Sequence, residues 1–330
     1  MVRVLITGAR GFVGLHFAAA VARLLGGGAE IIATSKRGGE YQPFGHVLPF
    51  DVTDEAAAAA LIAELKPTHV MNLAGIAAVM AAGRDPGAAW RVHLQGTLNL
   101  AQAILRVCPM CWLLNVGSGL VYGESANSGH PVDEATLLAP TDEYGASKAA
   151  ADLALGVLAR RGLRCVRLRP FNHIGPGQSE DFVVTSLAMQ VACIEAGLIP
   201  PVMSIGNLSA QRDFLDVRDV ADAYARVVKE SERLASGLIL NIASGVPRRI
   251  SDILDVLIAQ CSIEIAVRHD PGRMRPNDVP IIVGNSCRAR KVLDWAPRYD
   301  FEQTLNDILS DCRRVAHARL AIDPHNQPLR

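Results

Sequence analysis

The chain has 330 residues, half of them apolar and 20% charged, which excludes a disordered polypeptide and leaves room for about two domains. Its 33 Lys and Arg balance its 33 Asp and Glu, which argues against a nucleic-acid partner, and no apolar run reaches the roughly 18 residues that span a bilayer. The opening MVRVLITGARG turns into glycines too early for a secretory leader, so a cytoplasmic location with no membrane partner is expected.

Residues 2–7 form a short apolar run ending in glycines, and 12–25 show helical periodicity that stops at Gly26-Gly27-Gly28. Strand-like runs follow at 30–34 and 46–50, the second ending at Asp51. Asp54 is placed to cap an alanine-rich helix that runs to Leu65. Then come a strand at 68–74, a long helix at 86–107, a strand at 112–117, a helix at 143–161 and a strand at 164–168. This alternation predicts crossovers between parallel strands with helices on both faces: an α/β fold with a Rossmann-type doubly wound parallel sheet. Beyond Pro170 the rhythm loosens, and Pro and Gly cluster at 170–177, 197–206 and 271–280. A smaller, discontinuous C-terminal substrate lobe is expected at 171–210 and 244–312, with 211–243 rejoining residues 1–170 in the sheet domain. Residues 316–330 show little periodicity, and 313–330 are expected to form a loosely held tail.

Seven cysteines, an odd number scattered from Cys108 to Cys312, do not make a disulfide framework. Cys108 and Cys111 have the spacing of a redox or metal pair, but no second pair follows, so they read as structural. The nine histidines show no metal-ligand spacing, and no metal is expected.

The first strand leads into Gly8-Ala9-Arg10-Gly11-Phe12-Val13-Gly14. Glycines at this spacing permit a tight turn and let backbone N–H groups approach a pyrophosphate at a helix N-terminus. The second strand ends in Ser35-Lys36-Arg37, without the acid that usually accepts from a ribose 2′-hydroxyl. A hydroxyl and two cations, with Arg10 nearby, suit a 2′-phosphate, so NADPH is favoured and NADH remains open. Asp51 and Val52, after the third strand, are placed to meet the adenine.

Tyr144 and Lys148 lie four residues apart, on one face of the helix at 143–161. A cation beside the phenol is expected to lower its pKa toward working pH and fit Tyr144 for proton transfer to a substrate oxygen. Ser118, at a strand end, could hydrogen-bond the same oxygen.

These residues resemble an extended short-chain dehydrogenase/reductase of the nucleotide-sugar epimerase and dehydratase superfamily, from about residue 2 to 309. The resemblance implies a catalytic Ser118, Tyr144 and Lys148, with Lys148 also holding the nicotinamide ribose. It further implies cofactor contacts at Leu73, Ala74, Gly75 and Phe171. The stretch Arg169-Pro170-Phe171-Asn172-His173-Ile174-Gly175-Pro176-Gly177-Gln178 resembles the signature of the GDP-4-keto-6-deoxy-D-mannose reductases. Residues 206–208, 211–219 and 273–279 are similar to the same GDP-sugar branch. Asn172, Arg212, Arg275 and Asp278 are then the candidate substrate contacts, the two arginines offering planar donors to a diphosphate.

Two departures matter. Dehydratases of this superfamily carry a Glu two residues after the catalytic Ser or Thr, where this chain has Leu120, and an aliphatic side chain cannot move protons. His93 stands where relatives usually have Asn, and it is expected to fill the same structural role. The implied activity is reduction of the C4 keto group of GDP-4-keto-6-deoxy-D-mannose to GDP-6-deoxy-D-mannose (GDP-D-rhamnose), for polysaccharide biosynthesis. The alternatives are an NAD-dependent nucleotide-sugar 4-epimerase, a GDP-mannose 4,6-dehydratase, or a non-catalytic NADP-binding regulator. A homodimer is expected through a four-helix bundle of the helices near 87–107 and 143–161, where Ala146, Ala149, Ala150, Ala151 and Ala154 permit close packing.

Overall fold

The computed structural model describes residues 1–273 and 279–322. The first half runs β1 (Val2–Thr7), α1 (Phe12–Leu25), β2 (Ala29–Ser35), β3 (Gly39–Tyr41), β4 (Gly45–Pro49), α2 (Glu55–Leu65), β5 (His69–Asn72), α3 (Val79–Arg84), α4 (Pro86–Trp90), α5 (Gly96–Val107), β6 (Trp112–Val116), α6 (Glu143–Ala159) and β7 (Arg164–Pro170). A π-helical turn, Arg91–Gln95, joins α4 to α5, so the long helix expected at 86–107 is continuous in path but changes winding midway. The second half adds β8 (Asn172–Ile174), α7 (Val183–Glu195), β9 (Val202–Ile205), β10 (Gln211–Asp216), α8 (Val217–Glu230), β11 (Leu238–Ile242), β12 (Pro247–Arg249), α9 (Ile250–Ala259), β13 (Ala266–His269), β14 (Ile281–Ile282), α10 (Cys287–Leu293) and α11 (Phe301–Ile322).

Eight strands form the main sheet in the order β11-β7-β6-β5-β1-β2-β4-β3, all parallel except the β3–β4 pair at one edge. Its middle is apolar because both faces are covered; β5 is buried at every position. One face packs on α1 and α8 through Phe17, Val21, Val220 and Tyr224. The other packs on α2, α5 and α6 through Ile62, Leu100, Ile104 and Leu155. The chain leaves β1 first toward β2 and later toward β5, so a crevice opens between those two strands at their C-terminal ends.

The smaller lobe has its own core, built by Leu187, Phe214, Leu254 and Leu305 from α7, β10, α9 and α11. Here two boundaries differ from expectation. Residues 211–216 do not rejoin the main sheet: as β10 they pair with β8, β12 and β14, and Phe214 is held in the lobe's core. The return begins at Val217, where α8 crosses back to pack on α1. The expected tail is helical as far as Ile322. Leu305, Leu309, Cys312 and Ala316 make a buried stripe along α11, too diluted by charged neighbours to stand out in the sequence. Arg313 adds two 2.7 Å hydrogen bonds to Glu195 of α7.

Candidate active site

Gly8 has φ +65°, and a Cβ there would lie 2.9 Å from the Ala74 backbone nitrogen. That close approach seats Leu73-Ala74-Gly75, the segment after β5, against the glycine turn in the crevice. A Cβ on Gly14 would lie 2.0 Å from the Ala9 carbonyl oxygen, so the third glycine lets α1 settle onto the turn. The helices α2, α6 and α8 are each capped by an aspartate, Asp54, Asp142 and Asp216. By contrast, α1 starts at Gly11 with no side-chain cap. The N–H groups of Phe12 and Val13 have no hydrogen-bond partner among the described residues, while Gly14 N–H donates to the Gly11 carbonyl at 3.0 Å. With the positive end of the helix dipole behind them, the two free donors make a cradle that a pyrophosphate fits.

At the end of β2, Ser35 Oγ donates to the Arg37 carbonyl at 2.6 Å, and Arg10 Nη1 donates to the same oxygen at 3.0 Å. Neither Arg10 nor Arg37 has a carboxylate partner among the described residues, which suits a 2′-phosphate. Lys36 is committed elsewhere: it pairs with Asp51 at 2.9 Å and, with Thr53, holds that carboxyl down to about 2. Val52 turns its side chain into the core, where a Cβ on Gly96 would meet it at 2.7 Å, and its carbonyl accepts from Asn99.

Ser118 opens a short helical segment after β6, its Oγ accepting from the Leu120 N–H at 3.1 Å. Tyr144 sits in the first turn of α6, hydrogen-bonded to Ser118, and Lys148 follows one turn later, nearly buried. The structure thus brings the three expected residues together at the C-terminal edge of the sheet. It differs from expectation on the phenol. Burial pushes Tyr144 up to about 12 against the opposing hydrogen bond from Ser118, while Lys148 donates to the Val116 carbonyl at 2.8 Å. Burial also pulls the Lys148 ammonium down to about 8. The acids nearest in sequence are engaged in structure: Asp142 accepts from the Gly145 N–H and Glu143 from Trp90 Nε1. Leu120 packs against the apolar cluster of Val121, Tyr122 and Phe171.

Phe171 is in that cluster too, 6.2 Å from the Tyr122 ring and in contact with Gly119, so its side chain supports the Ser118 turn from below. Asn172 lies on β8, and its amide has no hydrogen-bond partner among the described residues. Arg212 is buried on β10 and donates to the carbonyls of Gln211 and Pro280. Nearby, Asp213 accepts from Ser244, Gly245 and Gly284, and Asp216 pairs with Arg218. Arg275 and Asp278 lie outside the described residues. A cleft of about 340 Å3 opens between Phe12, Ile76, Ala78 and Ala81 on one wall and Gly177 and Phe182 on the other. Among these only Phe12 and Gly177 lie in motifs that the sequence pointed to, because apolar cleft walls carry no motif.

Cys108 and Cys111 behave as packing groups. Cys111 is buried and its thiol is pushed far above the ordinary range. Burial likewise keeps histidines neutral: His69 falls to about 4 and His93, with Lys148 nearby, to about 3, while His16 and His173 are also lowered. Unfolded, these rings bind a proton near pH 6.5. Below that pH the unfolded chain takes up protons that the folded chain refuses, so stability is full above it and falls as pH drops toward 4. For His69 the loss at pH 5 is about 2 kcal/mol. Urea unfolding at pH 7 and pH 5 is expected to show this loss and to show it reduced by about the same amount in His69→Gln. An identical pH dependence in that variant would contradict it.

A Rossmann sheet with an uncapped glycine turn and a Ser118–Tyr144–Lys148 group is the arrangement of a dinucleotide-dependent oxidoreductase of the extended short-chain type. A family model described as GDP-mannose 4,6 dehydratase matches residues 5–308, and the chain belongs to that family. It is 34% identical to the GDP-6-deoxy-D-mannose reductase of Pseudomonas aeruginosa over 310 residues, 94% of this chain and 96% of the relative. Among solved structures, RMD from Pseudomonas aeruginosa complexed with NADPH superposes with a TM-score of 0.82 at 31% identity, covering 96% of this chain and all of that one. The UDP-glucose 4-epimerase of Thermus thermophilus in complex with NAD superposes at 0.80 with 26% identity, covering 94% and 99%.

Proposed function

We propose that this chain reduces the C4 keto group of GDP-4-keto-6-deoxy-D-mannose with NADPH, giving GDP-6-deoxy-D-mannose. The observation that carries this reading is the pairing of a protonated Tyr144 with an aliphatic Leu120. Reduction needs an acid at the carbonyl and no second acid–base group, whereas dehydration needs both. The uncapped N-terminus of α1 and the pair Arg10 and Arg37 fit NADPH, which when bound supplies the hydride. Tyr144 donates its phenolic proton to the carbonyl oxygen. Ser118 donates a hydrogen bond to the same oxygen and orients it. Lys148 keeps positive charge beside the phenol as the proton leaves and holds the nicotinamide ribose. Asn172, Arg212, Arg275 and Asp278 would bind the GDP-sugar.

The test is a coupled assay in which a GDP-mannose 4,6-dehydratase generates the keto-sugar. Loss of NADPH absorbance dependent on that intermediate, faster than with NADH, is expected, and NMR of the product assigns C4. Turnover without added reduced cofactor would instead establish an epimerase.

The same reading includes a homodimer. On α6, Leu153 and Val157 lie one turn apart and are 59% and 52% exposed, and Met80 on α3, a helix packed against α6, is also exposed. Burying such a stripe against its copy is favourable. Sedimentation at micromolar concentration should give twice the chain mass; a monomer would refute it. Seven unpaired cysteines suit the reducing cytoplasm, and no helix among the described residues is long and apolar enough to cross a membrane.

A further inference from the structure

We propose that His93 is a positioning residue for the reduction, clamping the wall of the cleft to the helix that carries Tyr144 and Lys148. Its kinetic arm rests on the reductase reading; its structural arm does not. The ring is 2% exposed and uses both nitrogens. Nε2 lies 3.0 Å from the Ile76 backbone nitrogen and Nδ1 2.8 Å from Ser147 Oγ. The Ile76 N–H can only donate, so Nε2 accepts, and Nδ1 carries the ring proton and donates to Ser147. Ser147 Oγ in turn donates to the Tyr144 carbonyl at 2.9 Å. The chain of bonds therefore starts at Ile76, which lines the cleft, and ends on the backbone of Tyr144 itself.

Two further observations converge on the same residue. The imidazole stands edge-on to the Tyr144 ring, 5.4 Å between centroids at 85°, and a Cβ on Gly75 would meet both His93 Nε2 and Lys148 Nζ at 3.4 Å. The ring thus borders the space in which Tyr144 and Lys148 present their polar ends. His93 also sits in the π-helical turn between α4 and α5. Such turns interrupt the α-helical hydrogen-bond ladder and are frequent at functional sites. Burial and the Lys148 charge keep the ring neutral at any working pH, so it carries no proton in the reaction, and what it contributes is geometry. Without the ring, the phenol is placed less tightly against the cleft wall, and a misplacement near 1 Å costs on the order of 100-fold in rate.

The test compares wild type, His93→Ala and His93→Asn. His93→Ala is expected to lower kcat roughly 10- to 100-fold while KM for the keto-sugar and the Kd for NADPH stay within about threefold. His93→Asn, which keeps a donor and an acceptor on a shorter stem, should recover part of the loss. A folded His93→Ala with kcat within about twofold of wild type would overturn the proposal, as would equal losses in kcat and NADPH affinity. Should His93→Ala not fold, His93→Leu, which fills the space but can neither accept from Ile76 nor donate to Ser147, decides: reduced kcat at unchanged KM supports the clamp, and wild-type kcat overturns it. Independently of any substrate, 15N NMR of the histidine rings should show His93 neutral and protonated on Nδ1 at pH 6. A ring protonated on Nε2, or charged, would overturn the clamp even if the wild type turned out to act on another sugar.

Discussion

Replacing Tyr144 by Phe is expected to lower turnover about 10²- to 10⁴-fold, the range that loss of a positioned general acid produces. The change removes one oxygen and keeps the ring, so packing against His93 is retained. At pH 7 the phenol is protonated, since burial holds it near 12, and it is therefore the group able to give the carbonyl its proton. The Ser118 hydroxyl remains but is a far weaker acid. NADPH consumption in the coupled assay reads the loss, and NADPH binding followed by fluorescence should stay unchanged. A variant within tenfold of wild type would remove Tyr144 from the mechanism. The wild-type rate carries a second signature. The Lys148 ammonium loses its proton as pH rises through about 8, so reduction should slow above that pH rather than below it.

Asp152→Ala is expected to cost about 3–5 kcal/mol of stability. Asp152 is 2% exposed and grips Arg169, itself 3% exposed, through two hydrogen bonds of 3.0 and 2.9 Å. Arg169 donates onward to the Tyr122 hydroxyl at 2.9 Å, and Tyr122 donates to Asn241 at 2.7 Å. The Asn241 N–H donates to Glu134 at 2.9 Å. One buried network therefore ties α6, β7, the Ser118 turn and β11. Removing the carboxylate strands a guanidinium that burial cannot neutralise, and that uncompensated charge is the main source of the loss. Urea unfolding at pH 7 measures it; a loss under about 1 kcal/mol would refute it. Adding Arg169→Met to the variant should restore part of the stability by removing the orphaned charge. Asp152 is one turn beyond Lys148, so the same network holds the helix that carries the proposed reacting groups, Tyr144 and Lys148.

Much of this molecule was legible in the chain. Strand–helix alternation, the spacing of Gly8, Gly11 and Gly14, and the four-residue step from Tyr144 to Lys148 are local patterns, and each acts through neighbours a few residues away. They sufficed for the sheet and for the proposed cofactor crevice and reacting group, and the absence of an acid at residue 120 favoured reduction over dehydration. What depends on segments far apart was decided only by the tertiary structure. Residues 211–216 look like any buried strand, and only the pairing of β10 with β8, β12 and β14 assigns them to the small lobe. The stripe along α11 is apparent only against α7 and α9. The pKa of Tyr144 rises rather than falls because desolvation sums over every element around it, outweighing the one hydrogen bond that favours ionisation. Lys36 meets Asp51, and His93 meets Ile76 and Ser147, across distances in sequence that no periodicity encodes. Residue types and spacing determined which chemistry this chain can perform; packing, through burial and long-range hydrogen bonds, determined the charge state and direction of the groups that perform it.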